Sequence, residues 1–222
     1  MPVVNTNIAE TTNITQNGTY DVARYTTANV NVGGSKYDLL ARVKDDTDKD
    51  IGCVVGYHTD ANNQKYAVVC LNKEFRNTNT YFYLSSNVAV TNLPVYNYQT
   101  ALYATETATF NCDKILAMAP DYTSSAVTEC RNHSFVIDGI TYYGQLPTIY
   151  ELTCIIMNAV RLNTDDPSVS GPDITVASMW SSTQQSASHC WQTGDPIIKY
   201  YNKSLSGQYA PRVCPILEIP IN

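Results

Sequence analysis

The stretch LPTIYELTCIIMNAV, Leu146–Val160, decides more of the fold than any other part of the chain. Thr148 is followed three residues later by Glu151, the reciprocal pair of a capping box. In such a box the hydroxyl and the carboxylate satisfy the free N–H groups of a first helical turn. Ile149, Leu152, Ile155, Ile156 and Ala159 then recur at the spacing of one helical face. The stretch therefore predicts an amphipathic helix whose stripe belongs to a core and not to a cofactor pocket.

Working outward, TATFNCDKILAMA predicts a second helix over about residues 107–119, with Ala108, Cys112, Ile115 and Met118 inward. Upstream of it lie three short apolar runs, YDLLARV (37–43), IGCVVGY (51–57) and KYAVVCLN (65–72), separated by KDDTDKD and HTDANNQ. Their spacing predicts an antiparallel meander. Asp46, Asp48 and Asp50 alternate as in a calcium loop, but Ile51 stands where such a loop needs glycine and Tyr57 where it needs a bidentate glutamate. The segment reads as a solvated hairpin turn. From residue 163 NTDDPSVSGPDIT reads as a loop, followed by strands and turns to the closing RVCPILEIPI. Pro215 and Pro220 there suit an edge or bulged strand. The fold class is α+β.

The first 35 residues read as a separate unit. Asn17-Gly18 is a strong two-residue turn signal, Ala28, Val30 and Val32 alternate with polar residues, and Gly33, Gly34 and Ser35 supply a joint. Residues 1–35 are thus expected to form a small β-hairpin unit for attachment or oligomerisation, and residues 36–222 the main domain. So short a unit buries little surface alone and needs a neighbour.

The chain has 222 residues, 44% of them hydrophobic, enough for a full core. A net charge of -6 with scattered basic residues argues against nucleic acid. The first residues show no secretory signal and no window suits a membrane span, so synthesis in the cytoplasm without membrane insertion is expected. The seven cysteines, Cys53, Cys70, Cys112, Cys130, Cys154, Cys190 and Cys214, include no C-x-x-C pair, and most lie in apolar runs. They are expected to act as small hydrophobes. Seventeen tyrosines against four phenylalanines suit either a recognition surface or half-buried strands, and composition alone leaves both open.

No nucleophile elbow, phosphate loop, dinucleotide fingerprint or zinc-protease motif is present. His189 and Cys190 are neighbours and would point to opposite faces of a strand. No catalytic residue, metal ligand or cofactor is expected. The two tryptophans, Trp180 and Trp191, enclose a run of small polar residues in MWSSTQQSASHCW (179–191). Two buried tryptophans can pin both ends of such a run and leave the polar residues facing outward.

YYGQLPTIYEL (142–152), MWSSTQQSASHCW (179–191), Lys203 and RVCPILEI (212–219) occur in the order found in C-type-lectin-fold variable proteins of diversity-generating retroelements. The resemblance spans about residues 36–222. The corresponding family blocks are G-x-L-P-S/T-x-x-E-L, W-S-S-T-Q/E-x-S-x-x-x-A-W, a lysine, and R-V-R-P-V. Cys190 stands where alanine is usual and Cys214 where arginine is usual. The N-terminal repeat separately resembles one found in gut-phage tail fibres.

The resemblance implies a C-type lectin fold with a variable region at about 178–211, rewritten by mutation of template adenines, chiefly at AAY codons. Ala187, Ser188, His189, Tyr200, Tyr201, Asn202, Ser204, Leu205, Ser206 and Tyr209 are compatible with that codon, whereas Gln185 and Gln192 are display positions that need another. Trp180, Trp191, Lys203 and Arg212 are the implied scaffold anchors. The implied partners are a bacterial cell-surface protein or glycan, other phage tail proteins and further copies of the chain, with a trimer among the options. The implied location is a virion tail or a bacterial surface. Alternatives are a calcium-dependent or fixed-specificity lectin, a structural tail component and, last, an enzyme of the formylglycine-generating type using Cys190 and Cys214.

Overall fold

A computed structural model describes residues 36–75, 89–97, 99–118, 124–164, 179–193, 198–202 and 212–221. The expected hairpin unit, residues 1–35, lies outside the described residues.

Strands β1 (Arg42–Lys44), β2 (Asp50–Thr59) and β3 (Lys65–Leu71) form the expected antiparallel meander. The first strand is shorter than the expected 37–43. Leu40 has a φ of 68°, and the Ala41 N–H donates to the Asp38 carbonyl, so the chain turns before it pairs. The aspartates of the following turn disperse: Asp46 accepts from the N–H groups of Asp138 and Gly139, Asp48 pairs with Lys44, and Asp50 with Arg42.

Between the two expected helices the chain adds a short helix and a β-hairpin that periodicity did not show. Helix α1 (Ala108–Leu116) is the expected one, capped by the Thr107 hydroxyl, which accepts from the Phe110 N–H. Helix α2 (Ser125–Arg131) follows, capped by Ser124, and is too short for a legible stripe. Strands β4 (Ser134–Ile137) and β5 (Ile140–Tyr143) then form a hairpin around Asp138 and Gly139. Both turn residues have positive φ, 53° and 75°, as a tight two-residue hairpin turn requires.

Helix α3 (Ile149–Thr164) is the helix of the opening stretch. Its capping box closes in both directions: the Thr148 N–H donates to Glu151 Oε2 at 2.7 Å and the Glu151 N–H to Thr148 Oγ1 at 3.2 Å. The helix runs one residue past the expected start of the loop, and 165–178 lie outside the described residues. Strands β6 (Trp180–Gln184), β7 (His189–Thr193) and β8 (Ile198–Asn202) make a second antiparallel sheet. Strand β9 (Ile216–Ile221) returns to pair with β3, completing the order β1-β2-β3-β9. Pro220, lacking an N–H, sits on this terminal strand of the sheet, where one edge needs no ladder bond.

Burial follows the pleat. Along β3, Val68 and Cys70 join the core cluster that contains Ile149, Leu152 and Ile155 of α3. Ala67, Val69 and Leu71 join the opposite cluster with Phe135 and Ile137 of β4. The four-stranded sheet is therefore covered by α3 on one face and by the β4–β5 hairpin on the other. A third cluster unites Cys112 and Ile115 of α1 with Ala126, Val127 and Cys130 of α2 and with Trp180. The observed class is α+β, as expected.

Candidate functional site

Three of the sequence blocks, 142–152, 179–191 and 212–219, are hydrogen-bonded to one another. Gln145 and Ile216 exchange backbone hydrogen bonds at 2.8 and 3.0 Å, the Ser182 N–H donates to the Pro147 carbonyl, and the Trp180 N–H donates to the Arg212 carbonyl. Thr183 Oγ1 accepts the free N–H of Ile149 at the start of α3, at 3.0 Å. Ser181 donates its hydroxyl to the Trp191 carbonyl at 2.7 Å, and Ser182 Oγ accepts from Asn111.

These bonds correct the expectation that the polar residues between the tryptophans face outward. Ser181, Ser182, Thr183 and Gln184 are all buried. A buried hydroxyl must find a partner, and here each hydroxyl satisfies a backbone group or amide of a neighbouring element. Gln184 goes further: its Oε1 accepts from the Val90 N–H and its Nε2 donates to the Leu93 carbonyl, fixing the segment 90–93 beside β6.

The two tryptophans are both buried, but in different cores. Trp180 is fully buried in the cluster of α1 and α2, and Trp191 in that of α3. The Trp191 indole N–H donates to the Tyr96 carbonyl at 3.0 Å. Arg212 is exposed and anchors through its backbone rather than by burial.

The chain reaches solvent from Gln185 onward. Gln185, Ser188 and His189 are half-buried and Ala187 is exposed, at the turn between β6 and β7. Ser188 and Ser186 hydroxyls lie 2.8 and 3.2 Å from His189 Nδ1, which ties the imidazole to its own turn. Tyr200, on β8, is 53% exposed. Its ring meets His189 and Trp191 edge-on, with centroids 5.5 and 5.8 Å away. Gln192 is a correction: it was expected on the display face, but it is 1% exposed. It follows Trp191 on β7, so the pleat turns it to the other side, against the interior. Tyr201 and Asn202 lie on β8, paired in register with Cys190 and His189. Lys203, Ser204, Leu205, Ser206 and Tyr209 lie outside the described residues.

None of the seven cysteines is in a disulfide, and six are buried. Cys190 packs with Trp180 and Val213, whereas Cys214 lies in the other core with its sulfur 3.7 Å from that of Cys70. Burial pushes the Cys112 thiol up to about 12.

A second constellation escaped the sequence entirely. His58 on β2, Glu151 on α3 and Glu218 on β9 are all buried, and one ligand-type atom of each falls within 4.8 Å of the others. His58 Nδ1 lies 3.1 Å from Glu151 Oε1 and 3.9 Å from Glu218 Oε1. Glu218 also accepts from the Ala108 and Thr109 N–H groups at 2.7 and 2.8 Å, so it caps α1 from a distant strand. Two helix N-termini, with their partial positive charge, thus converge on two carboxylates. Burial holds the Glu218 carboxyl well above its ordinary range, reinforced by the charge of Glu151. Burial likewise raises Glu151 and lowers His58, the latter opposed by the charge of Glu218. The three residues are far apart in sequence, and only the pairing of β2, β3 and β9 beneath α3 gathers them.

No protein-family model, no curated protein and no solved structure matches the chain. Among the described residues, no helix is long and apolar enough to cross a membrane.

Proposed function

We propose that this is a target-binding protein that presents a replaceable surface on a C-type-lectin-like scaffold, of the kind made by diversity-generating retroelements, and that it serves receptor recognition at a phage tail. The observation that carries the reading is the division of the second sheet and its β6–β7 turn into two populations. Ser181–Gln184, Trp191 and Gln192 are buried, while Ala187 and Tyr200 reach solvent with His189 between them. Exposed positions on such a frame accept substitution at little cost, which is what a diversified surface needs. Tyrosine supplies broad contact at low entropic cost, and serine and histidine supply adaptable hydrogen bonds.

Two further features support the scaffold. The C-terminal strand β9 returns to the meander, and the segments 142–152, 179–191 and 212–219 are hydrogen-bonded to one another. Tail display would add multivalency, and with it avidity beyond that of one site. The enzyme alternative needs Cys190 and Cys214 together, and they occupy different cores.

The test is capture of intact bacterial cells by the labelled full chain, compared with Tyr200→Ser, His189→Tyr and Ala187→Tyr variants. Changed or lost capture with Tm held within a few degrees is the expected result. Unchanged capture by all three variants, or their unfolding, overturns the assignment. A reverse-transcriptase gene beside the coding sequence, with a near-repeat of its 3′ end differing at adenines, is the expected genomic signature of the retroelement.

A further inference from the structure

Capping accounts for two members of the buried constellation. Glu151 closes the box at the start of α3, and Glu218 receives the first N–H groups of α1. It leaves His58 unexplained. That imidazole is 3% exposed, its ring lies 5.5 Å from that of Tyr150, and its Nδ1 is turned toward both carboxylates. Among the described residues, no lysine or arginine forms an ion pair with Glu151 or Glu218, and His58 is the only basic group facing them.

We propose that His58, Glu151 and Glu218 bind one divalent transition-metal ion, zinc in the first instance. Zinc takes imidazole nitrogen and carboxylate oxygen at about 2.0–2.2 Å, so two ligand atoms at tetrahedral angles lie about 3.3–3.6 Å apart. The separations of 3.1 and 3.9 Å from His58 Nδ1 bracket that range. The longer one exceeds hydrogen-bond reach, so a proton on Nδ1 joins the imidazole to Glu151 but not to Glu218. A metal ion between the three atoms would engage both.

Charge and ligand type select the class. Two carboxylates and a neutral imidazole sum to the double negative charge that one divalent cation cancels, in a site where uncompensated charge is costly. One nitrogen and two oxygens suit zinc or cobalt, whereas calcium needs six to eight oxygens. The ion would join β2, β9 and α3 from within and would leave the exposed Ala187 and Tyr200 untouched. Three protein ligands leave a fourth position for water, and with all three buried the ion would hold β2, β9 and α3 together.

Because the site is buried, loading is tested by refolding the full chain from denaturant with one equivalent of Co²⁺ or Zn²⁺, followed by gel filtration and metal analysis. The expected result is one ion per chain, a visible cobalt spectrum typical of nitrogen and oxygen ligands, and displacement of cobalt by zinc. Removing the ion should lower Tm by about 5–10 °C relative to free metal at one hundred times Kd. His58→Gln and Glu218→Gln should each abolish retention. No retained metal overturns the proposal, as does equal retention by both variants. A thiolate-to-cobalt charge-transfer band would move the metal to the cysteines and also overturn it. If the variants do not fold, the wild-type stoichiometry and spectrum decide the matter alone.

Discussion

Tyr200 stands edge-on over Trp191, its direct cross-strand partner, with ring centroids 5.8 Å apart and planes at 89°. One ring is 53% exposed and the other 1%, so the pair marks the boundary between the surface and the core beneath it. Such an edge-to-face pair contributes about 0.5–1.5 kcal/mol beyond area burial.

Their truncations should separate accordingly. Trp191→Ala removes a filled core position and the indole bond to Tyr96, and should cost about 3–5 kcal/mol. Tyr200→Ala should cost about 1 kcal/mol, the aromatic pair alone. Denaturant unfolding of both variants checks the ratio. A Tyr200→Ala loss as large as that of Trp191→Ala would place Tyr200 in the scaffold and not on the display face.

The pH response of stability should carry the signature of the buried triad, measured in chelator. His58 titrates below its ordinary value of about 6.5. Below that pH the unfolded chain takes a proton that the folded one refuses, so stability falls on acidification. Glu218 titrates above its ordinary range, so the folded chain keeps a proton that the unfolded one has lost. Its contribution falls as pH rises from about 4.3 toward the raised value. His58→Gln should flatten the acid limb of Tm against pH, and Glu218→Gln the limb above it. Parallel profiles for wild type and both variants would refute the assignment.

Gly144, in the block YYGQLPTIYEL, has a steric reason to be glycine. A Cβ there would lie 2.3 Å from the Cys130 carbonyl oxygen at the end of α2, while the Gly144 N–H donates to the His133 carbonyl. Neither backbone group can yield cheaply. Gly144→Ala should lower stability by about 1–3 kcal/mol, the range for forcing an extra carbon into a packed site. A calorimetric Tm equal to that of wild type would show that the turn relaxes.

Helix α3 and helix α1 were legible because their signals are local. Thr148 with Glu151, and Ile149 with Leu152 and Ile155, are separated by three residues, a distance over which helical geometry alone fixes contact. The meander was legible for the same reason, its three apolar runs and polar turns lying in one continuous segment. The Asp138-Gly139 hairpin was not read from the sequence, although the dipeptide is a two-residue turn signal. Helix α2, with seven residues, had too few turns to show a stripe.

The face each polar residue takes was a different matter. Ser181, Ser182 and Thr183 look like surface residues by type, and they are interior because Trp191, Asn111 and Ile149 bring groups that need their hydroxyls. Gln192 looks like a display residue and is buried, because β7 is covered on the side opposite His189. His58, Glu151 and Glu218 meet only after β9 has crossed back to β3 and α3 has docked on that sheet. The sequence by itself determined the elements whose hydrogen bonds and periodicity are short in range. Tertiary structure alone decided which polar groups leave water, since that depends on partners tens of residues away that desolvate a group and then satisfy it.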